Sequence, residues 1–234
     1  MIDIHCHILP GVDDGAKTLE ESLLMARIAF EDGIRDIIAT PHFAETMNVG
    51  RELVLSKVTE LQTALDQAGI GITIHPGNEV RLESPEYVYE HAEHGRFCYL
   101  GRSDKFILLE QRWTEYNERS PEVVRWFLDR GVRPIIPHPE RHNFFRERPE
   151  LVIDLVKSGA WTQISVDSLL GKNSDDAQAM ALWLLENDAV HTLATDAHNT
   201  NRRPNLSLGF AIVREAAGER RTHEITARMQ QVIL

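Results

Sequence analysis

The chain has little cysteine: only Cys6 and Cys98 occur among 234 residues. Two thiols cannot build a disulfide framework or a thiolate zinc site, so both are expected to be ordinary thiols in a reducing compartment. Positive charge is also short. Lys and Arg total 25 against 36 Asp and Glu, a formal charge of -11, which works against phosphate backbones and anionic membranes. No nucleic-acid partner is expected. No run approaches the roughly 18 apolar residues that a membrane span needs, and no basic segment leads into an apolar stretch at the start. The expectation is no membrane insertion and a cytoplasmic location. A GxxxxGK[ST] phosphate loop and a Gly-x-Ser-x-Gly elbow are both missing, and "GIG" at Gly69 to Gly71 is too short for a dinucleotide fingerprint. With no Pro/Gly/Ser linker, low-complexity tract or composition shift, residues 1–234 read as a single domain.

What is present is a rhythm. Seven short β-branched runs, "IDI", "RDIIAT", "GITIHP", "KFILLE", "VRPIIP", "WTQISV" and "VHTLAT", alternate with stretches of helical character. The helices carry start and stop signals. "TLEESLLMARIAFEDG" opens on Thr18 with Glu21 in capping-box position and closes on Gly33. "SPEVVRWFLDRG" places Ser120 as N-cap, Pro121 at the first helical position and Gly131 as the stop. The spacing predicts an α/β fold with a parallel sheet closed as a barrel related to the (β/α)8 type and one strand short; an open doubly wound sheet is the alternative.

The runs end on metal-binding chemistry. The first gives His5 and His7, the second His42, the third Glu79, the fourth Glu110, the fifth His138, and the last Asp196 and His198. In a parallel barrel these ends share one rim, and residues two apart on a strand face the same side. Asp14, in the loop after the first strand, can hang over that rim. A single histidine or glutamate at a strand end is commonly a capping group, but nine such residues in succession exceed the needs of one ion. They imply two or three ions bridged by carboxylates. Mixed nitrogen and oxygen donors without thiolate suit Mn²⁺, Fe, Zn²⁺ or Co²⁺, and affinity order alone does not choose among them; Mn²⁺ is the expected ion.

"HCHILPGVDDG", "TPH", "GNE", "HPERH" and "TDAHNTNRRP", in this order, resemble the PHP-domain superfamily, and within it the bacterial metal-dependent protein tyrosine phosphatases of capsular and exopolysaccharide gene clusters. The resemblance spans essentially the whole chain. It implies a distorted seven-stranded barrel, a (β/α)7 TIM-like PHP fold, holding three metals, with each of the nine residues at a ligand position and Glu79 bridging. It also implies the tyrosine-rich tails of bacterial tyrosine kinases as phosphotyrosine substrates. One departure is "QRWTEYNERS" after Glu110, where the family often carries an apolar, proline-containing segment; this bears on substrate preference more than on chemistry. A homo-oligomer is compatible with the sequence.

The residues support such chemistry independently. Hydrolysis of a phosphate monoester needs a nucleophile at neutral pH and a sink for negative charge, and divalent ions supply both through a metal-activated hydroxide and a phosphoryl clamp. Arg141 and Arg203 lie on the same rim and can grip phosphate in bidentate fashion, with Arg202 the weaker candidate of its pair. The resemblance singles out the same two positions. An aryl leaving group suits a site without a dedicated acid, where the ligands Asp196 and His198 are the groups that can assist. Trp113 and Tyr116 are candidates to stack on a phosphotyrosine ring or to pack their loop. Phe144 and Phe145 are expected in the core. His75, His91, His94, His142, His191 and His223 fall outside the ligand pattern, and Glu140 is expected to support a ligand. A cysteine phosphatase is excluded, because Val12 and Asp104 occupy the positions where arginine would follow Cys6 and Cys98. Two further readings remain: a small-molecule phosphatase, acting on a compound such as histidinol phosphate, or a phosphodiesterase; and a catalytically inactive metal-binding regulatory protein.

Overall fold

The seven apolar runs become nine parallel strands, because two runs break in mid-course. In the computed structural model, which describes residues 1–234, the strands are β1 (Ile2–Cys6), β2 (Asp36–Ala39), β3 (His42–Phe43), β4 (Thr73–Pro76), β5 (Glu79–Arg81), β6 (Phe106–Glu110), β7 (Arg133–Pro137), β8 (Trp161–Ser165) and β9 (Thr192–Ala194). They form one sheet ordered β1-β2-β4 and another ordered β3-β5-β6-β7-β8-β9. The pairing of β2 with β4 and of β3 with β5 keeps the same offset, Ala39 opposite Pro76 and His42 opposite Glu79. Each broken run is therefore one stave. The seam closes where Asp196 N donates to His5 O at 2.9 Å and His7 N donates to Ala197 O at 2.8 Å. Seven staves thus form a closed, distorted barrel with no free edge.

Proline explains the breaks. Pro41 and Pro76 have no N–H to give a ladder, and the buried side chain of Asn78 bonds in its place. Its Nδ2 donates to Pro41 O at 3.0 Å and Val49 O at 2.9 Å, and its Oδ1 accepts from Cys98 N at 2.8 Å. Gly77 lets the staves approach: a Cβ there would stand 2.7 Å from Ile38 Cγ2.

Helices α1 (Leu19–Glu31), α2 (Arg51–Gln67), α3 (Pro85–Glu93), α4 (Ser120–Leu128), α5 (Asn143–Glu147), α6 (Glu150–Lys157), α7 (Val166–Leu169), α8 (Asp175–Glu186) and α9 (Leu206–Ile233) connect the staves, and α9 is broken at Gly218. Thr18 caps α1 as the sequence implies, its Oγ1 accepting from Glu21 N at 3.2 Å. The Glu21 carboxylate returns to Lys17 N, one residue earlier than a capping box requires. Ser120 departs from its expected role. Asn117 Oδ1 accepts from Arg119 N at 2.9 Å, and this side-chain turn starts α4 early. Ser120 is therefore the first helical residue, and its hydroxyl donates to Asn117 O at 2.6 Å. Strands and helices share one cluster of 59 buried apolar residues. No helix is long and apolar enough to cross a membrane.

His191, just before β9, is structural. Its Nδ1 accepts from Thr162 N at 3.2 Å, and burial together with Arg228, Arg221 and Arg133 pushes its pKa down to about 3. As pH falls below the ordinary histidine value of about 6.5, the unfolded chain gains a proton that the native chain refuses until near the lowered value. Stability is thus lost on acidification. Urea unfolding at pH 7 and pH 5 should show a smaller loss for His191→Gln than for the unaltered protein; parallel losses would remove His191 from the acid response.

Candidate metal centre

β1 and the residue that follows it deliver two imidazoles to one point. His5 Nε2 and His7 Nε2 lie 3.2 Å apart, and both approach Glu79 Oε2 (3.5 and 3.4 Å) and Asp196 Oδ1 (3.4 and 3.5 Å). Glu79 opens β5 and reaches further: Oε2 is 2.9 Å from His42 Nδ1, and Oε1 is 2.8 Å from His138 Nε2. Glu110 ends β6, with Oε1 3.8 Å from His138 Nε2. Asp14 Oδ1 lies 3.4 Å from His42 Nε2 and 3.5 Å from His198 Nε2. All nine residues read from the strand ends and the first loop are therefore together. They form four overlapping donor groups: His7, Asp14, His42 and His198; His5, His7 and Asp196; His5, Glu79 and His138; His42, Glu79 and Glu110.

The donor set fits divalent cations. Atoms bonded at about 2.1 Å to one ion sit roughly 3.0 to 3.4 Å from each other, close to the spacing of His5, His7, Glu79 and Asp196. His42 Nδ1 is buried 2.9 Å from Glu79 Oε2 yet makes no hydrogen bond, as for two donors sharing an ion. The histidine tautomers agree. His5 Nδ1 donates to Gln163 Oε1 at 2.8 Å and His7 Nδ1 to Asp13 Oδ2 at 2.7 Å, which leaves each Nε2 lone pair facing the site.

Asp13 and Gln163 were not legible as site residues, and they orient the imidazoles of His7 and His5. Asp13 also accepts from Gly15 N at 2.9 Å and His42 N at 3.2 Å, tying the first loop to β3. Its only sequence signal is the doubled aspartate of "VDDG". Gly15 is obligatory there, since a Cβ would fall 2.1 Å from His7 O. Arg81 was also missed; its Nε donates to Glu110 Oε2 at 2.8 Å. Of the arginines, Arg141 Nη1 stands 2.5 Å from Asp196 Oδ2, and Arg202 pairs with the same oxygen. Arg203, expected at this place, is instead exposed, while its neighbour Arg202 lines the cleft. The loop bends at Asn199, whose Oδ1 accepts from Asn201 N and Arg202 N, and this selects between the two adjacent side chains.

Trp113 lines the cleft, whereas Tyr116 packs on Phe144 and Phe145 and so serves its loop. Phe145 is in the core and Phe144 is packed against it. His142, expected outside the pattern, is buried beside the ligands without a hydrogen-bond partner on either ring nitrogen. Glu140 accepts from Ser165 N at 3.0 Å and joins no ligand group. The cleft itself measures 250 Å³. A larger groove of 720 Å³ between the start of α2 and the end of α3 holds no ligand residue.

Without an ion the charges conflict. Burial opposes protonation of His42 but is outweighed by Glu79 and Asp14, which raise its pKa to about 11. Burial and Glu79 raise Glu110 to about 7, while burial, despite Glu79, lowers His138 to about 4. Burial would also raise Asp196, but His5, Arg202 and Arg141 hold it far below the carboxylate range. Backbone strain accompanies the charge: His138 and Asp196 adopt φ of 35° and 50°, a left-handed conformation that aims both side chains across the rim.

The profile of the capsular polysaccharide synthesis CpsB/CapC family matches residues 1–234. The chain is 36% identical over 205 residues to the tyrosine-protein phosphatase YwqE of Bacillus subtilis, covering 87% of this chain and 79% of that protein. It is 28% identical over 245 residues to the tyrosine-protein phosphatase CpsB of Streptococcus agalactiae, covering 100% and 98%. Among solved structures, a chain from the work on YwqE of Bacillus subtilis and CpsB of Streptococcus pneumoniae, described as metal-dependent tyrosine phosphatases, superposes with a TM-score of 0.95 at 32% identity, covering 100% of this chain and 94% of that one. A phosphotriesterase homology protein of Escherichia coli, at 13% identity and a TM-score of 0.60 over 100% of this chain and 98% of that one, shares the fold. These matches place the chain in the capsular polysaccharide synthesis CpsB/CapC family.

Proposed function

We propose that the chain is a metal-dependent protein tyrosine phosphatase acting on a phosphotyrosine protein. The observation that carries this reading is nine nitrogen and oxygen donors on one rim, with two arginines standing on the ligand Asp196. When bound, divalent ions supply Lewis acidity, a nucleophile derived from water at neutral pH and neutralisation of phosphoryl charge. The protein's own residues do the rest. Each guanidinium carries five N–H donors, so Arg141 and Arg202 retain donors for phosphoryl oxygens while paired with Asp196. Gln163 and Asp13 hold His5 and His7 in the tautomers that ligation needs.

The finer assignments follow from the same chemistry. Nitrogen and oxygen donors without thiolate suit Mn²⁺, Fe, Zn²⁺ and Co²⁺ alike, and we take Mn²⁺ as the ion to test first, with two or three bound. A 250 Å³ cleft is smaller than the roughly 300 Å³ lower bound of sites that engulf a small molecule, which supports a projecting phosphorylated side chain as substrate. The tyrosine-rich tail of a bacterial tyrosine kinase, met in the cytoplasm, fits that description.

Phosphate release by Mn²⁺-loaded protein from a tyrosine-phosphorylated peptide should exceed release from histidinol phosphate and should vanish with a chelator. A preference for histidinol phosphate would replace the substrate assignment. Glu79→Gln should lose bound metal and activity together; an unchanged metal count would deny Glu79 its central role. Arg141→Ala and Arg202→Ala should keep metal but lose about 10²- to 10³-fold in kcat, with Arg203→Ala losing far less. The opposite order between Arg202 and Arg203 would assign the clamp to Arg203.

A further inference from the structure

We infer that Trp113 is the aromatic platform that selects aryl over alkyl phosphate esters, an inference that rests on the phosphatase reading and specifies its substrate class. Eleven residues line the cleft, and Trp113 is its one hydrophobic member; the others are carboxylates, imidazoles and guanidiniums. A phenyl ring entering behind its phosphoryl group therefore finds a single apolar surface on which to shed water.

Trp113 is held for that task. Its ring stacks on His142 at 4.4 Å and 26°, and on His138 at 5.4 Å and 15°, while Arg141 lies 5.0 Å from its centroid. His142 is wholly buried and wedged against Phe144 and Phe145, so the stack has a rigid base. Even so stacked, Trp113 remains 42% exposed, leaving surface to receive a ligand. One ester oxygen separates ring from phosphorus in an aryl phosphate, so a ring platform must adjoin the phosphate grip. Trp113 adjoins Arg141, and through Arg141 it adjoins Asp196. A seryl or threonyl phosphate offers no ring to this surface.

The test compares metal-loaded protein with Trp113→Ala, Trp113→Leu and Trp113→Phe on one peptide bearing phosphotyrosine or phosphoserine at the same position, with metal content measured in each. The ratio of kcat/KM for the two peptides should fall about three- to tenfold in Trp113→Ala, the worth of one aromatic pair. It should fall in Trp113→Leu as well and be largely retained in Trp113→Phe. A binding readout is independent of turnover: phenylphosphonate should quench tryptophan emission in the unaltered protein and not in Trp113→Phe, the other three tryptophans lying outside the cleft. An unchanged ratio in Trp113→Ala, or undiminished quenching in Trp113→Phe, would overturn the platform. Quenching that depends on Trp113 in a protein releasing phosphate from neither peptide would uphold the platform and overturn the phosphatase reading instead.

Discussion

Glu79 sets the charge balance on which the rest of the rim depends. Its buried carboxylate faces four imidazoles, Oε2 toward His5, His7 and His42 and Oε1 toward His138. An uncompensated carboxylate in such a place costs several kcal/mol, yet four buried imidazolium rings would repel one another. Without an ion the outcome is uneven. Proton affinity is raised at His42, lowered at His138, and raised at Glu110 by burial and then by Glu79. Divalent cations remove the conflict, since every ring can then be neutral and every carboxylate charged. Metal binding and the packing of the barrel's open end are thus one energetic problem.

The barrel is shaped to pose that problem in one place. His42 and Glu79 are the first residues of β3 and β5, immediately after the two breaks. An unbroken strand would continue its strict alternation, whereas an interruption resets which face a side chain takes. Asn78 compensates for each interruption with side-chain hydrogen bonds. Closure acts in the same way at the other end of the sheet. The bonds that join the residues after β9 to β1 run through His5, His7, Asp196 and Ala197, so the seam of the barrel and the ligand shell share backbone. Loosening one loosens the other.

The convergence of the nine donor residues was legible because strand ends carry them and strand order in a parallel barrel brings ends together; His5 and Glu110 needed nothing more, whereas Asp196 also needs its left-handed backbone beyond β9. Side chains acting on those ligands were not legible, because their role depends on angles that spacing does not encode. Asp13 and Asp14 are neighbours of one type, yet one orients His7 and the other faces His42 and His198. Arg202 and Arg203 differ by one residue in a loop whose bend is made by Asn199. Gln163 looked like any polar residue in a strand. The seven-stave closure was readable, while its division into nine strands was hidden in Pro41 and the Pro76-Gly77 pair. Ser120 failed as a cap because Asn117, three residues earlier, had already started the helix.

The donor residues of this rim and the segment beside them are held by different contacts, and they meet where Trp113 stacks on His138. The ligands project from strand ends and from a loop pinned by Asp13, all fixed by barrel closure. The surface beside them comes from residues Gln111 to Ser120, which leave β6 after its last ligand and are anchored elsewhere. Tyr116 packs on Phe144 and Phe145, and Arg119 binds Glu86 at 2.6 Å and Glu122 at 2.9 Å. None of those anchors touches a metal ligand. Away from Trp113 the segment can therefore change without disturbing Glu79 or its imidazoles; Trp113 alone reaches back, stacking on His138 and lying over Arg141 at the cleft. Ten of the eleven residues lining the cleft are carboxylates, imidazoles and guanidiniums, so its walls offer a substrate charge and little apolar surface. Under the proposed reading, recognition of what carries the phosphoryl group is left to the loop, most of whose anchors stand apart from the donor residues.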